Sequence, residues 1–188
     1  TPLVTWIVRR LREHGHNPAI VMRGYASIDS TKADEAIEYR ERLDAIDVIV
    51  GADRVATIHS YLEKGGEADC FVMDDGFQHR RIARDLDIVV MDFLRDPFEQ
   101  RMLPAGWLRE PIEGLQRCDA VVVSHATRSE PTLLAKVEKS SGHPPIAWTS
   151  HHWTGLEMHD KEGERECSLD WLTGKSVAVR LGIGHPGP

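Results

Sequence analysis

Cys70-Phe71-Val72-Met73-Asp74-Asp75-Gly76-Phe77-Gln78-His79 is the stretch of sequence that decides the fold. Its first four residues are apolar and have the length of a short buried strand, and two carboxylates follow them directly. Gly76 then allows the chain to turn away sharply. In an open α/β sheet, ligands bind beyond the carboxyl ends of the strands, where Asp74 and Asp75 are predicted to lie. Adjacent acids in that place suit a hard cation such as Mg²⁺, and an acidic turn after a strand is the alternative.

The totals describe an ordinary globular protein. The 188 residues fit one domain, or one domain and part of a second, and a content of 41% hydrophobic residues is enough for a sizeable core. The formal net charge of −7 argues against a general nucleic-acid-binding protein, so we expect no nucleic-acid partner. The three cysteines lie far apart without a Cys-x-x-Cys pair, and two of them adjoin apolar runs, which indicates reduced, buried residues of a cytosolic protein.

Seven apolar runs indicate strands, and most of them are separated by helical patterns. Several runs are almost continuously apolar, as expected of a parallel sheet covered on both faces. The predicted strands are Ala19–Met22, Val48–Val50, Phe71–Met73, Ile88–Met91, Ala120–Val123, Ile146–Trp148 and Val177–Leu181. The predicted helices are 1–15, 53–63 and 132–139, with a further helix start near Asp34. This alternation predicts an α/β fold with right-handed crossovers.

The chain divides into three regions on this interpretation. Residues 1–142 form the α/β core, and residues 143–175 form a connecting region that begins at a Ser-Gly-His-Pro-Pro interruption. Within that region, residues 151–165 are polar and weakly periodic, so we expect a loop. Residues 176–188 begin a smaller C-terminal lobe. Because the chain starts without Met and stops just after a strand pattern, we expect it to be part of a longer protein.

Four further positions are candidates for function. Arg23 follows the first strand, which places it at the same sheet edge as the two acids. Residues 103–111 form a Pro- and Gly-rich loop that carries an exposed Arg109-Glu110 pair. Asp34 lies at a helix start, where the helix dipole by itself favours an acid. Thr1 is either a simple N-cap or, if a glycine-rich loop precedes it, a hydroxyl ligand of Mg²⁺.

Together these motifs resemble the tetraacyldisaccharide 4′-kinase family, the lipid A 4′-kinases. The resemblance covers nearly the whole chain and is most specific where Asp-Asp-Gly-Phe-Gln-His is combined with the Leu-Arg-Glu-Pro loop. The matching segments, in the family's order, are Thr1–Val4, Arg23–Tyr25, Gly51–Val55, Asp74–Arg81, Leu86–Val90, Leu103–Gly106, Leu108–Pro111 and Gly182–Pro186. In the family, the first of these directly follows Gly-Gly-x-Gly-Lys.

The resemblance implies a P-loop NTPase-like α/β fold and a kinase that uses ATP and Mg²⁺. The implied reaction is phosphorylation of the 4′-hydroxyl of a tetraacylated glucosamine disaccharide 1-phosphate in lipid A biosynthesis. The implied partners are this lipid and the cytoplasmic face of the bacterial inner membrane, which the family reaches through a segment outside this chain. Since the P-loop lysine also lies outside it, we expect the 188 residues alone to be soluble and inactive. The alternative is a non-catalytic nucleotide-binding or remnant P-loop domain.

The resemblance also assigns roles by matching position. It makes Asp34 the catalytic base and Arg109 a catalytic phosphate contact, places Thr1 and Arg23 in cofactor binding, and gives the metal to Thr1, Asp74, Asp75 and Glu110. Ala33 and Ala36 stand where the common form has Gly and Pro, so Glu35 remains an alternative base.

Two other groups of residues are open to interpretation. The three arginines between positions 80 and 84 follow the acids, and they fit either an anionic lipid or an ordinary solvated face. Trp107, Trp148 and Trp153 are predicted to be packing residues, whereas a cluster of them on one exposed surface would favour membrane docking.

Overall fold

A computed structural model describes residues 2–24, 34–161 and 163–178. These residues form two three-stranded parallel sheets with helices packed on them, and one antiparallel hairpin. The strands are β1 (Pro18–Met22), β2 (Asp47–Val50), β3 (Cys70–Met73), β4 (Ile88–Asp92), β5 (Ala120–Ser124), β6 (Ala147–Trp148), β7 (Leu156–Asp160) and β8 (Gly163–Cys167), and the helices are α1 (Pro2–Glu13), α2 (Asp34–Arg42), α3 (Arg54–Glu63) and α4 (Pro131–Ser141). The predicted α/β fold with mostly parallel strands is confirmed.

The first sheet has β1 in the middle, between β2 and β3. Ile20 of β1 lies opposite Val48 of β2 and Val72 of β3. Every residue of β1 is buried. Alternate side chains of β1 enter two different clusters, since Ile20 and Met22 pack with residues of α1 and α2, whereas Ala19 and Val21 pack with residues of α3. A strand covered on both faces has no position for a polar side chain, which explains its continuous apolar run.

The second sheet has β5 in the middle, between β4 and β6. Val121 and Val123 are fully buried and share a cluster with Leu133 and Val137 of α4. The side chain of Glu130 caps α4 by accepting hydrogen bonds from the backbone N–H groups of Thr132 and Leu133. The start of this helix is therefore set by a side chain just outside it.

The prediction that residues 151–165 form a loop is wrong for the later part of this segment. Residues 156–160 and 163–167 pair as the antiparallel strands β7 and β8. The strands are held by polar cross-strand contacts, with His159 Nδ1 3.1 Å from Glu164 Oε1 and an Arg165 nitrogen 2.8 Å from Asp160 Oδ2. An exposed ribbon of this kind buries little apolar surface, so it has no strong hydrophobic period.

The predicted strand Val177–Leu181 is not formed at its beginning, because Val177 and Ala178 have no regular structure. Its remaining residues lie outside the described part of the chain. The three-region division of the chain stays a prediction.

The tryptophan prediction holds for one residue of three. Trp148 packs against the core of the second sheet, with its ring centroid 6.4 Å from that of Phe93. Trp107 and Trp153 are exposed by 68% and 75%, so the prediction that they are packing residues is wrong. Their environment is set by which loop lies outermost, which residue type does not determine.

All three cysteines are free thiols, and Cys118 is buried as predicted, whereas Cys70 and Cys167 are partly exposed. None of the helices in the described ranges is both long and apolar enough to cross a membrane.

Candidate functional site

The two acids lie at the carboxyl edge of the first sheet, as predicted. The backbone N–H of Asp74 donates to the carbonyl of Val21, at 2.9 Å, so the end of β3 lies against the end of β1. Arg23 follows β1 and therefore reaches the same edge. The sheet register alone thus brings residues about 50 positions apart in sequence to one place.

A tight turn presents the carboxylates. Asp75 has a left-handed backbone, with φ of 50°, which is uncommon for a residue with a side chain. A Cβ atom at Gly76 would lie only 2.7 Å from the Cβ of Met73, so the next position is restricted to glycine. The turn is thus a constrained feature, and such backbone conformations concentrate at functional sites.

The side chain of Arg54 is hydrogen-bonded to the backbone of this turn. Its guanidinium donates to the carbonyl oxygens of Asp75, at 3.0 Å, and Asp74, at 3.1 Å. Although charged, Arg54 is only 5% exposed. A buried guanidinium bonded to two successive carbonyls is well placed to stabilise the turn and to neutralise negative charge beside it.

Each carboxylate has one further partner. The Tyr39 hydroxyl donates to Asp74 Oδ2 at 2.8 Å, and Arg109 donates to Asp75 Oδ2 at 2.6 Å. Both bonds use Oδ2, which leaves Oδ1 of each acid without a hydrogen bond to the described residues. The Gln78 side chain donates to the Arg109 carbonyl at 2.9 Å and so ties the second loop to the turn.

A cavity of about 330 Å³ opens at this edge of the sheet. It is lined by Met22, Arg23, Glu35, Arg54, Asp74, Asp75 and Arg109. A smaller recess of about 170 Å³ shares three of these residues and adds Ala52, Gln78 and His79. The structure therefore brings together Arg23, the two acids and Arg109, as the sequence predicted.

His79 is a further polar residue in the smaller recess. Burial, followed by the positive charges of Arg54, Arg84 and Arg81, lowers the pKa of this histidine. Its Nε2 atom is buried and has no hydrogen-bond partner within the described residues. A neutral imidazole is therefore expected here at neutral pH.

The prediction that Glu110 is exposed beside Arg109 is wrong. Its side chain is only 18% exposed, and Oε2 bonds to Arg117 and lies 3.9 Å from a nitrogen of Arg80. It does not line the cavity, whereas its neighbour Arg109 does.

The arginines that follow the acids do not form one exposed cluster. Arg84 is largely buried and pairs with Asp87 at 2.6 Å, which makes it structural. Arg80 and Arg81 remain mostly exposed, and Arg81 lies 3.5 Å from Asp53.

The roles of two predicted site residues stay predictions. Thr1 lies outside the described residues. Asp34 is the first residue of α2, but its side chain is not described, whereas its neighbour Glu35 lines the cavity.

Sequence reasoning missed Tyr39 and Arg54 as site residues. Neither belongs to an acidic or glycine-rich motif, and each contacts the acids across 20 or more positions of sequence. The only available signal was the position of Arg54 within Gly51–Val55, one of the segments shared with the family.

The donor set fits a magnesium ion. Two carboxylates provide oxygen ligands, which this hard cation prefers, and an open cavity leaves room for water or phosphate oxygens. Arg23 and Arg109 at the rim add positive charge suited to a phosphate.

The sequence matches a known family over its full length. The tetraacyldisaccharide-1-P 4′-kinase family matches residues 1–188. The chain belongs to this family. The match to the tetraacyldisaccharide-1-P 4′-kinases includes every residue that lines the cavity.

Curated relatives carry the same family name. The tetraacyldisaccharide 4′-kinase of Halorhodospira halophila is 38% identical over all of this chain and 60% of its own length. Those of Azoarcus sp. and Anaeromyxobacter dehalogenans are 33% and 35% identical over 99% of this chain, and over 55% and 53% of their own lengths. The chain thus spans little more than half the length of these relatives. No solved structure matches it at a significant level.

Proposed function

We propose that the protein containing this chain is a kinase that transfers the γ-phosphoryl group of ATP to the 4′-hydroxyl of a tetraacylated glucosamine disaccharide 1-phosphate. This is a step of lipid A biosynthesis, at the cytoplasmic face of the bacterial inner membrane. The observation that carries the proposal is one cavity lined by three carboxylates and three arginines, in a chain that belongs to this kinase family.

The residues of the cavity suit phosphoryl transfer, which depends on positioning and charge neutralisation more than on covalent chemistry. Asp74, Asp75, Thr1 and Glu110 are the proposed metal-binding residues, and Mg²⁺ supplies charge neutralisation of the phosphates when bound. Glu110 does not line the cavity, so it can reach the metal only if its side chain moves. Asp74 and Asp75 need no such change.

Arg109 and Arg23 are the proposed phosphate contacts. The guanidinium of Arg109 is about half exposed and already lies at the cavity, 2.6 Å from Asp75. A planar guanidinium can bond a carboxylate with one nitrogen and a phosphate oxygen with another. Arg109 can thus link the acidic turn to the group being transferred.

The base that accepts the proton of the sugar hydroxyl is proposed to be Asp34. Glu35, in the first turn of α2, lines the cavity, so this turn lies beside the site proposed for the acceptor. The positional match to the family favours Asp34. Only one of the two carboxylates needs to act, because a single proton leaves the hydroxyl.

The test is ATP-dependent phosphate transfer to the disaccharide lipid by the whole protein and by two isosteric variants. Asp34→Asn is expected to lower kcat at least about 100-fold with nearly unchanged ATP affinity, because it removes only the proton acceptor. Glu35→Gln is the matched control and is expected to keep most of the activity.

The possible results separate the alternatives. Loss of turnover in Glu35→Gln but not in Asp34→Asn would make Glu35 the base. A whole protein that binds ATP without transferring phosphate would instead be the non-catalytic nucleotide-binding domain.

A further inference from the structure

The loop that delivers Arg109 to the cavity and the nearby 94–95 segment carry an unusual concentration of exposed apolar side chains. Leu94, Met102, Leu103 and Trp107 are exposed by 57%, 40%, 56% and 68%. Large apolar side chains scattered singly on a surface are normal, but four within fifteen positions are a patch. We call these four residues, together with Arg95 and Arg101, the apolar loop face.

Contacts between its two segments make the apolar loop face one structure. The guanidinium of Arg95 lies over the ring of Trp107, 4.9 Å from its centroid, which joins the 94–95 segment to the loop. The loop is closed by two backbone hydrogen bonds, from Leu103 N–H to the Leu108 carbonyl at 2.9 Å and from Leu108 N–H to the Arg101 carbonyl at 3.1 Å. The apolar side chains are therefore presented by an ordered loop.

Two arginines accompany the apolar loop face, although the whole chain has a net charge of −7. Of the nearby acids, Asp96 and Glu99 share Lys136, at 2.9 and 3.3 Å, and Asp92 lies 2.9 Å from His125. Within the described residues, Arg95 and Arg101 have no such ion pair. Two arginines without an ion pair, beside a tryptophan and three other apolar side chains, match a surface that is both anionic and apolar.

The position of the loop relative to the cavity is fixed. Arg109 follows Leu108 directly, its guanidinium binds Asp75 at 2.6 Å, and its carbonyl accepts from Gln78 at 2.9 Å. Whatever binds the apolar loop face is thereby held next to the cavity.

We propose that the apolar loop face docks on an anionic phospholipid bilayer, with Leu103 and Trp107 entering the interface and Arg95 and Arg101 contacting lipid phosphates. Tryptophan is favoured at the boundary between headgroups and acyl chains, and arginine adds attraction to anionic headgroups. This contact belongs to the described residues themselves, apart from any anchor elsewhere in the protein. It rests on the proposed function only in explaining how the cavity approaches a lipid substrate.

The test is sedimentation of the 188-residue chain with vesicles of phosphatidylglycerol and phosphatidylethanolamine, compared with vesicles of phosphatidylcholine alone. Binding is expected to the anionic vesicles and to weaken as salt is raised. Trp107→Glu is expected to weaken binding at least about tenfold, and Arg101→Glu about 30-fold, because it reverses one charge near the surface. All of these side chains are exposed, so circular dichroism is expected to show an unchanged fold.

Two matched variants control for loss of any exposed tryptophan or arginine. Trp153→Glu removes an even more exposed tryptophan, and Arg128→Glu reverses an exposed arginine, both outside the apolar loop face. Both are expected to bind vesicles as the unchanged chain does.

The proposal is overturned if the chain does not bind anionic vesicles, or if Trp107→Glu and Trp153→Glu bind alike. The assay contains no nucleotide, so its failure leaves the kinase proposal untouched, and failure of the kinase assay leaves vesicle binding untouched.

Discussion

Asp74 and Asp75 are neighbours in sequence, but their side chains have different partners. Asp74 is bonded to a buried tyrosine, and Asp75 to an exposed arginine. A rigid partner fixes the orientation of a carboxylate, whereas an exposed one can exchange its bond for a ligand. We therefore propose that the carboxylate of Asp74 keeps a fixed orientation in the site. Asp75 then shares Arg109 with the phosphate.

The hydroxyl of Tyr39 is expected to orient Asp74 for metal binding. Tyr39→Phe keeps the buried ring but removes the donor, so we expect the Mg²⁺ dependence of nucleotide binding by the whole protein to shift at least about tenfold to higher concentration. The free energy of unfolding should fall by about 1–3 kcal/mol. Titration calorimetry and urea denaturation measure the two effects.

Tyr61→Phe is the matched control, because the Tyr61 hydroxyl also donates to a carboxylate, Asp47 Oδ2, at 2.6 Å. Asp47 does not line the cavity. A similar loss of stability without a change in Mg²⁺ dependence is expected. Equal Mg²⁺ dependence in both variants would contradict a positioning role for Tyr39.

Arg109→Ala is expected to separate activity from stability. The Arg109–Asp75 pair is about half exposed, and pairs of that kind contribute less than about 1 kcal/mol to folding. Removal of a phosphate contact should nevertheless lower kcat at least about 100-fold. Arg81→Ala, which breaks a comparably exposed pair with Asp53, is the control and should keep its activity. A large loss of stability in Arg109→Ala would mean that the loop depends on this pair.

At the scale of elements, the ends of helices and strands place the functional groups. The strands β1 and β3 end together, so Arg23 and Asp74 meet, and α3 begins with Arg54 beneath the turn. Helix starts are set by side-chain caps, namely Asp53 for α3 and Glu130 for α4. A change in a cap therefore acts on the position of a whole helix.

The cap of α4 predicts a pH-dependent contribution to stability. Hydrogen bonds from the backbone N–H groups of Leu133 and Thr132 lower the pKa of Glu130 from its usual value of 4.5. A lowered pKa means that this stabilisation is fully present above about pH 4.5 and is lost as the pH falls through the folded-state pKa. Glu130→Ala should therefore lower Tm by a few degrees at pH 7, and much less at pH 3.

Thermal unfolding followed by circular dichroism at the two pH values measures this effect. Glu138→Ala removes an exposed acid from the same helix without removing its cap, and it should leave Tm nearly unchanged. A pH-independent effect of Glu130→Ala would show that the carboxylate does not act as the cap.

At the scale of the whole molecule, stability is concentrated in the middle strand of each sheet. All of β1 and the first four residues of β5 are buried, and both strands are paired on two sides. In the β7–β8 hairpin each strand is paired on one side only, and the hairpin is mostly exposed. An exposed two-stranded ribbon is marginally stable by itself.

Hydrogen exchange followed by mass spectrometry should resolve this difference. Peptides that contain β1 and β5 are expected to exchange slowest, because their amides open only with the sheets. Peptides that contain β7 and β8 should exchange at least about 100-fold faster. Equal protection of the hairpin would mean that it packs on another part of the protein.

The sequence by itself determined the α/β class, the positions of six strands and the place of the acids at a sheet edge. These properties depend on local patterns, namely the run of apolar residues that a covered strand requires and the polar residues that follow it. It also carried enough specific motifs to indicate the family, which the full-length match confirms.

The tertiary structure alone decided which groups surround those acids. Tyr39, Arg54 and Arg109 reach them across 35, 21 and 34 positions, and Glu110 turns away to Arg117. It also decided that Trp107 is exposed whereas Trp148 is packed. The physical reason is that a local pattern records only whether a position is covered, whereas partners and exposure depend on how separate helices, strands and loops pack together.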